Sequence, residues 1–227
     1  MQEIRRVKYP RTFHLPYSET ITDDDKRLYS DDDFWSMECV MTQKMDGENS
    51  VIYPDGYLHA RSIDGNKHPW QAWLKKYIQS WCYDIPEGWR VCGENLYPRH
   101  SIAYKFPDES YFFQVFGIYD ENDYCLSWIE TENWCKLLGI RTVPVIWKGR
   151  YEDATQAMHI FDEYKQKNLR ETGNEVEGFV LRTEDGFSTA NFSPFNPPVC
   201  IAKYVRKNHV TTDAHWTEHW TKNEVIA

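Results

Sequence analysis

The chain has 227 residues, of which 41 % are hydrophobic and 16 % aromatic, so a large core is expected and a disordered protein is excluded. No apolar run approaches the ~20 residues that span a bilayer, and the N-terminal sequence MQEIRRVKYP lacks the apolar region of a secretory signal. The net charge of −9, from 26 Lys+Arg and 35 Asp+Glu, repels nucleic acid, so any such contact requires a local basic face.

The cysteines and the acidic runs indicate neither a metal site nor a disulfide framework. Six cysteines stand at positions 39, 82, 92, 125, 135 and 200, and no two have CxxC spacing. This scatter predicts reduced, mostly buried thiols in a cytoplasmic protein rather than an extracellular disulfide set. The aspartate runs at 23–25 and 31–33 lack the alternating spacing of a metal loop. We expect them in solvated loops or at helix starts.

Most predicted elements are strands rich in Val, Ile, Phe and Tyr. In chain order the predicted strands cover residues 39–45, 48–53, 57–62, 89–97, 111–119, 143–147, 176–183 and 199–206. The second and third are predicted to form a hairpin at Tyr53–Tyr57, where Asp55 and Gly56 would supply positive φ angles.

Helices interrupt these strands at four places. Apolar residues from Trp70 to Trp81 fall on one helical face, and Ser127 with Glu130 forms a capping box for a helix that Gly139 ends. Further helices are predicted at 153–167 and 212–222. Strands and helices mix without strict βαβ alternation, which favours an α+β domain with largely antiparallel sheets and flanking helices.

The sharpest chemical feature is Lys44-Met45-Asp46-Gly47, at the end of one predicted strand and before the next. A lysine is a covalent nucleophile only when its amine is deprotonated, and a normal pKa of ~10.4 leaves it charged at neutral pH. We therefore expect the site to depress the pKa of Lys44 by desolvation or by nearby cations. The glycine allows a tight turn and the close approach of a bulky ligand. Four residues alone are equally compatible with a surface turn.

Further motifs follow in order, each with a charged or polar group inside or beside an apolar strand, where a charge is costly unless it is paired or functional. They are HARS (59–62), GENLY (93–97), YFFQVFGIY (111–119), EGFVLR (177–182) and IAKYVRK (201–207). This ordered set resembles the covalent nucleotidyltransferase superfamily of ATP-dependent RNA and DNA ligases and mRNA capping enzymes. It resembles most the RNA ligases related to the phage nick-sealing RNA ligase. The resemblance covers about residues 40–207 and implies an ATP-grasp-like nucleotidyltransferase domain.

The resemblance implies three catalytic residues and the cofactors ATP, as covalent AMP, and Mg²⁺ or Mn²⁺. Lys44 matches the lysine that attacks the α-phosphate and holds AMP through a phosphoramidate. Lys203 matches the lysine that neutralises the α-phosphate as charge develops, and Glu177 matches the acid that assists catalysis through the divalent metal.

It also implies a set of nucleotide-binding residues. These are Asp46 at an acidic or polar family position, Asn49 near the metal's water shell, Arg61 at phosphate, Glu94 at the ribose hydroxyls and Phe116 on adenine. From the residues alone, plainer readings stay open: core packing for Phe116, a surface ion pair for Arg61, and strand-edge acids for Glu94 and Glu177.

The sequence departs from the family pattern in two motifs. The last family motif usually reads Lys-x-Lys, but here Val205 stands in place of the second lysine, and Arg206 or Lys207 is a candidate substitute out of register. The adenine-stacking motif commonly ends Phe-Asp-Ile, whereas here Gly117 follows Phe116. Arg182 resembles by position a basic residue that meets the 5′-phosphate of the RNA.

A competing motif lies near the end of the sequence. His215-Trp216-Thr217-Glu218-His219 matches the HxxEH pattern of inverted zinc proteases, with two histidines at helical i,i+4 spacing. That chemistry needs a further acidic ligand well downstream, and Glu224 is the one acid that follows. An amphipathic helix with packed tryptophans is the better interpretation.

These observations predict an ATP-dependent RNA ligase that joins 5′-phosphate and 3′-hydroxyl ends through lysyl-AMP, with RNA ends or a nicked duplex as partner and no membrane. We expect a single nucleotidyltransferase domain over residues 1–227, with a short helical C-terminal tail and no OB-fold. The alternatives are a DNA or mixed RNA/DNA ligase, a nucleotidyltransferase acting on another substrate, and a non-catalytic nucleotide-binding protein. Protein partners and oligomeric state are not predicted.

Overall fold

The computed structural model describes residues 5–21, 25–63, 68–207 and 220–226. Three α-helices in this part of the chain are α1 (Ala72–Tyr77), α2 (Trp128–Leu138) and α3 (Ala154–Thr172). Its strands, numbered along the chain, are β1 (Phe13–His14), β2 (Glu38–Lys44), β3 (Glu48–Ile52), β4 (Leu58–His59), β5 (Arg90–Asn95), β6 (Lys105–Phe106), β7 (Phe113–Tyr119), β8 (Tyr124–Cys125), β9 (Arg141–Thr142), β10 (Val145–Arg150), β11 (Gly178–Thr183), β12 (Phe187–Ser188), β13 (Ile201–Val205) and β14 (Glu224–Val225).

Five strands form one sheet in the order β1-β13-β11-β2-β10. All neighbours in it are antiparallel except β1 and β13, which pair in parallel. In its register Lys44 lies opposite Gly178, and Val180 lies opposite Lys203. The end of β2, the start of β11 and the middle of β13 therefore lie next to one another.

A second sheet has the order β12-β8-β7-β5-β3-β4, and β9 pairs with β7 in parallel. The strands β3, β5 and β7 are antiparallel neighbours, and Asn49 lies opposite Glu94. A third, two-stranded sheet joins β14 to β6. The largely antiparallel sheets with flanking helices confirm the predicted α+β class.

Each main sheet has its own helical cover. The buried Ala157 and Phe161 of α3 belong to a core cluster with Phe179 and Tyr204 of the five-stranded sheet. A second cluster joins residues of α1 and α2 to the seven-stranded sheet through Leu74, Cys135, Leu138, Val91 and Val115. The faces that the helices leave uncovered are available to build a site. No helix in the described ranges combines the length and the apolar character needed to cross a membrane.

The local helix signals vary in how well they match the structure. The capping box is confirmed, because Ser127 and Glu130 exchange both hydrogen bonds, and α2 ends at Gly139 in the left-handed conformation. The helix α3 runs beyond the predicted end at 167 and stops before Gly173. The stripe from Trp70 to Trp81 packs on the core, with Trp73 and Tyr77 only half-buried, but α1 is short and continues at both ends as 3-10 turns.

Two local predictions are wrong in part. In the hairpin after β3 only Gly56 has a positive φ, because the Gly56 N–H donates to the Tyr53 carbonyl and the turn needs one left-handed residue. Residues 220–222 are not helical, and 223–226 continue into the extended β14. The rest of the predicted last helix, the HxxEH motif and part of the first aspartate run lie outside the described residues.

Candidate active site

The site begins at the connection between the two main sheets. Lys44 is the last residue of β2, and the chain crosses through Met45, Asp46 and Gly47 into β3 of the other sheet. A Cβ atom on Gly47 would lie 2.6 Å from the backbone oxygen of Asn95, so the crossing has no room for a side chain at this position. The KMDG motif is therefore the junction of the sheets and not a surface turn.

A cavity of about 580 Å³ opens at this junction. Seven of the residues singled out from the sequence line it, namely Lys44, Asn49, Arg61, Glu94, Phe116, Arg182 and Lys203. Residues from β2, β3, β5, β7, β11 and β13 contribute to its wall, so both sheets build it. Glu177 joins the site through Lys44, whereas Asp46 and Arg206 are not among the lining residues.

Lys44 forms the central ion pair of the site, since its Nζ lies 2.6 Å from Oε2 of the buried Glu177. Burial lowers the pKa of Lys44, but the nearby carboxylates, above all that of Glu177, outweigh burial and raise the pKa above its usual value. The expectation of a depressed pKa is thus wrong for this arrangement. The pair holds Lys44 as an ammonium, which has to lose a proton before it can act as a nucleophile.

Glu94 lies across from Asn49 and accepts a hydrogen bond from the Gly47 backbone N–H at 3.1 Å. Burial raises the pKa of Glu94 to about 8, although the Lys44 ammonium acts in the opposite direction. At neutral pH this carboxyl is largely protonated. A protonated carboxyl both donates and accepts hydrogen bonds, which is the combination that a pair of hydroxyl groups requires.

Asn49 supplies an oxygen whose hydrogen-bonding capacity is unused. Its Oδ1 atom is buried and finds no donor among the residues that the structure describes. Across the same residues, no group of three or more His, Cys, Asp and Glu side chains could hold a metal ion by itself. Magnesium in phosphate-transfer sites commonly uses one or two protein oxygens together with water and substrate phosphates. The oxygen donors of Asn49 and Glu177 fit a metal held in this way.

Lys203 is another cation of the cavity wall, and its ion-pair partner Asp25 is not among the lining residues. Its Nζ lies 2.9 Å from Oδ1 of Asp25. Burial lowers the pKa of Lys203, and the Asp25 carboxylate opposes that shift. Asp25 belongs to the first aspartate run, so the expectation that this run is merely solvated is wrong for its last residue.

Arg61 and Phe116 lie on the cavity wall as the resemblance implies, with different surroundings. Arg61 is exposed, and no ion pair links it to another described residue. Phe116 is half-buried and meets Tyr9 edge-to-face with ring centroids 5.0 Å apart. The wall therefore offers one exposed guanidinium and one aromatic surface.

Asp46 does not line the cavity and instead stabilises the connection that follows Lys44. Its Oδ2 accepts the Ile102 backbone N–H at 2.7 Å, and its own N–H donates to the Tyr104 hydroxyl at 3.0 Å. These bonds fasten the crossing after Lys44 to the segment that follows β5. One carboxylate oxygen is thus used within the protein, and a direct nucleotide contact by Asp46 stays a prediction.

Arg182 and Arg206 do not present the free cations expected from the sequence. Arg182 is 1 % exposed, and its guanidinium donates to the carbonyls of Leu126 at 2.7 Å and Thr183 at 3.2 Å. Arg206 donates to the Val176 carbonyl at 2.7 Å and pairs with Glu175, away from the lining residues. The donors of both guanidinium groups are directed at protein acceptors in this arrangement, so an RNA contact by either residue stays a prediction.

Several residues of the site were missed by sequence reasoning. Tyr9, Thr42 and Gln43 line the cavity. His100, which the sequence offers as a basic residue of a local RNA-binding face, also lines it, and burial lowers the pKa of His100 to about 4. Tyr9 lies in no recognised motif. Thr42 and Gln43 precede Lys44 within the same strand, so alternation along the strand could have placed one of them on the cavity side.

Comparison with known proteins gives a family and a fold. The family described as RNA ligase matches residues 37–205. No curated protein sequence matches the chain.

Three solved structures resemble the fold. A mutant RNA ligase of Naegleria gruberi with AMP and Mn is 16 % identical with a TM-score of 0.51, over 79 % of this chain and 52 % of that one. An archaeal ATP-dependent RNA ligase is 15 % identical with a TM-score of 0.50, over 77 % and 44 %. A candidate ATP-dependent DNA ligase of Aquifex aeolicus is 19 % identical with a TM-score of 0.48, over 75 % and 44 %. The chain spans about half the length of the structures that it matches.

Proposed function

The chain belongs to the RNA ligase family, and we propose that it is an ATP-dependent RNA ligase that joins 5′-phosphate and 3′-hydroxyl ends through lysyl-AMP on Lys44. One observation carries the proposal: the motif residues Lys44, Glu94 and Lys203, far apart in the sequence, line a single cavity at the junction of two sheets. The Lys44–Glu177 pair lies at that junction. A non-catalytic binding module has no need of a lysine and an acid held in this way.

In the first step the Lys44 amine attacks the α-phosphorus of ATP. A P–N bond forms, the bond from the α-phosphorus to the bridging oxygen breaks, and pyrophosphate leaves. The Lys44 ammonium must first lose a proton, and Oε2 of Glu177 is the acceptor that already contacts it. The same carboxylate raises the pKa of Lys44, so the transfer discharges both partners of the ion pair and leaves a neutral amine and a neutral carboxyl.

Two cations on the wall would bind the phosphates during this step. Arg61 offers an exposed planar guanidinium, and Lys203 offers an ammonium on β13, the strand next to β11. Charge that develops on the phosphoryl oxygens is stabilised most by such groups when they are fixed in advance. The protonated Glu94 would bind the ribose hydroxyls, and Phe116 would face the adenine.

Mg²⁺ or Mn²⁺ would be held mainly by water and phosphate oxygens, with Glu177 and Asn49 as the protein oxygens nearest to it. When bound, the metal supplies positive charge that withdraws electron density from the phosphates. The chain's own residues then position the amine and accept its proton.

In the second step a polynucleotide 5′-phosphate oxygen attacks the phosphorus of lysyl-AMP, and the P–N bond to Lys44 breaks. In the third a 3′-hydroxyl attacks the 5′-phosphorus, releases AMP and seals the strand. The acidic chain and the buried Arg182 leave few cations for polynucleotide, so ends aligned in a nicked duplex would supply the proximity that the protein lacks.

The proposal includes a cytoplasmic location and treats the chain as a single nucleotidyltransferase domain. The six cysteines are all free and buried, which supports a reducing compartment. Both main sheets contribute to one cavity, which supports their treatment as one unit.

The test is incubation with each α-labelled NTP and Mg²⁺ or Mn²⁺, followed by a denaturing gel. We expect acid-labile, alkali-stable label from ATP alone, and no label on Lys44→Ala. Lys165→Ala, an exposed lysine of α3 paired with Asp162, is the matched control and should label as the wild type does. A wild-type protein that takes up no label with either metal contradicts the proposal.

Joining assays then separate the alternatives. Nicked duplexes with a 5′-phosphate are compared with free single strands, each with RNA or DNA on either side of the break. We expect a preference for nicks with RNA at the 3′-hydroxyl side. A preference for DNA there would make the protein a DNA-joining ligase, and labelling without any joining would indicate another acceptor.

A further inference from the structure

The N-terminal segment, of which residues 13–21 and 25–28 are described, lies before the stretch that matches the family and nevertheless reaches the site. Its strand β1 pairs in parallel with β13, and His14 is the register partner of Lys203. The Leu15 N–H donates to the Lys203 carbonyl at 2.8 Å, and the Leu28 N–H donates to the His14 carbonyl at 2.8 Å. The segment is therefore fixed by its backbone on both sides of His14.

The side chains of this segment form a series of polar contacts that ends at Lys203. The Val205 N–H donates to Ser18 Oγ at 3.0 Å, and Ser18 Oγ lies 2.7 Å from His14 Nδ1. His14 Nε2 lies 3.2 Å from Asp25 Oδ2, and Asp25 Oδ1 lies 2.9 Å from Lys203 Nζ. The series of contacts thus begins at Val205 and ends at Lys203, two residues apart on β13.

Within this series of contacts His14 is a neutral imidazole. Burial, together with the Lys203 ammonium, lowers the pKa of His14 to about 4. The neutral tautomer that suits both neighbours accepts from the Ser18 hydroxyl at Nδ1 and carries its hydrogen on Nε2, facing Asp25. In this tautomer the Nε2 hydrogen lies beside one carboxylate oxygen of Asp25, and the other oxygen contacts Lys203.

Four charged or titratable groups from three parts of the chain act on Lys203. Asp25 and His14 come from the N-terminal segment, Lys44 from the end of β2, and Glu177 from just before β11. Burial and Lys44 favour the uncharged amine, whereas Asp25 and Glu177 favour the ammonium. Asp25 is the one acid of this set that directly contacts Lys203.

We propose that Asp25 is a positioning residue, oriented by His14, that holds Lys203 as an ammonium directed at the α-phosphate of the nucleotide. The catalytic use of Lys203 rests on the proposed function, whereas its pairing with Asp25 does not. In the family motif a second lysine normally follows, and Val205 stands there in this chain. With one motif lysine left, its charge has to be secured by another part of the molecule.

The first experiment measures the pKa of Lys203 directly by competitive trace acetylation of the free protein over a pH series, read by mass spectrometry. We expect Asp25→Asn to lower the pKa of Lys203 by at least about one unit. Burial and the Lys44 ammonium still lower this pKa, and the carboxylate that opposed them is gone. Asp31→Asn is the matched control, an acid of the same region that pairs with Tyr151 instead, and should leave the pKa unchanged. An unchanged or raised pKa in folded Asp25→Asn overturns the proposal.

The second experiment follows adenylylation in single turnovers from pH 6 to 9. Asp25→Asn should lower the rate about tenfold or more, and most at the alkaline end, where Lys203 loses its proton. His14→Ala should show part of the same defect, and His14→Gln, which keeps a donor near Asp25, should restore some of it. In the Lys203→Ala background Asp25→Asn should add nothing, whereas an additive loss contradicts action through Lys203.

The two experiments can contradict the proposed ligase function and the positioning role of Asp25 independently of each other. If the protein never takes up AMP, the proposed ligase function falls, while the acetylation series still decides whether Asp25 controls the charge of Lys203. If adenylylation proceeds and Asp25→Asn is as fast as the wild type at every pH, the positioning role falls and the ligase function stands.

Discussion

The Nζ of Lys44, the last residue of β2, lies 2.6 Å from Oε2 of Glu177, which directly precedes the neighbouring strand β11. Gly178, which follows Glu177, is the register partner of Lys44. A Cβ atom on Gly178 would lie 2.0 Å from the Tyr204 backbone oxygen, so β11 has no room for a side chain at this position. The nucleophile and the acid are therefore placed by the sheet and not by flexible loops.

This pairing predicts opposite effects of Glu177→Gln on protonation and on rate. Loss of the carboxylate should lower the pKa of Lys44, because burial then meets less opposition, and trace acetylation of Lys44 should increase at a given pH. Adenylylation should nevertheless fall by at least ~100-fold, since the proton acceptor and transition-state contact are gone. Glu175→Gln, an exposed neighbour paired with Arg206, is the control and should leave both measurements near wild type.

The raised pKa of Glu94 predicts a pH-dependent stability. The folded state keeps this proton up to about pH 8, against a reference value of 4.5, so the wild-type free energy of unfolding should fall as pH rises between these values. Glu94→Gln keeps an acceptor for the Gly47 N–H and cannot ionise. We expect it to be more stable than the wild type at pH 8.5 by at least about 1.4 kcal/mol, the equivalent of one pKa unit.

Urea denaturation at pH 5 and pH 8.5 checks this prediction. Glu163→Gln, on an exposed part of α3, controls for the loss of a carboxylate elsewhere. Equal stability differences for Glu94→Gln at the two pH values would contradict a raised pKa. The same variant should bind ATP more weakly, since an amide reproduces the hydrogen bonds of a carboxyl to two hydroxyls only in part.

The parts of this molecule that sequence reasoning found are those with a local signature. The Ser127–Glu130 capping box needs four residues, and the strands around Lys44 and Glu94 each contain a short apolar stretch next to motif residues. Each of these signals is complete within about a dozen residues. The family motifs add order along the chain, which is why the residues of the cavity wall could be named before the cavity was seen.

The parts that were missed depend on partners far away in the sequence. The strand β1 has two residues and no periodicity, so nothing local distinguishes it from a loop. The role of Asp25 depends on a partner 178 positions away. Similarly, Arg182 has the position of an RNA contact in the motif, but the carbonyl of Leu126, from another part of the chain, takes its donors.

The burial of Arg182 leads to a prediction about stability. Arg182→Ala should lower the free energy of unfolding by about 1–3 kcal/mol, because it leaves the Leu126 carbonyl without its donor and removes a buried side chain. Adenylylation and sealing should decline together, in proportion to the fraction unfolded. Arg206→Ala, at a more exposed ion pair, should cost less. Normal stability with a selective loss of sealing would return Arg182 to the RNA site.

The last prediction concerns Asn223, which is 1 % exposed and fastens the C-terminal strand to the segment after β5. Its Oδ1 accepts the Tyr104 N–H at 2.8 Å, and its Nδ2 donates to the Leu96 carbonyl at 2.7 Å. The same segment carries the groups that hold Asp46, directly after the nucleophile. Asn223→Ala should therefore destabilise the protein by about 1–3 kcal/mol and loosen the backbone behind the cavity.

Hydrogen exchange and denaturation together test this link. Exchange at the amides of Ile102 and Tyr104 should accelerate in Asn223→Ala more than exchange in α3, because the lost bonds are local. Asn223→Asp keeps the acceptor for Tyr104 and loses the donor to Leu96, so it should have an intermediate effect. Asn122→Ala, at an exposed turn, is the control for removal of an amide. Uniform acceleration across the whole protein would mean that Asn223 supports global stability and does not act on the segment behind Lys44 in particular.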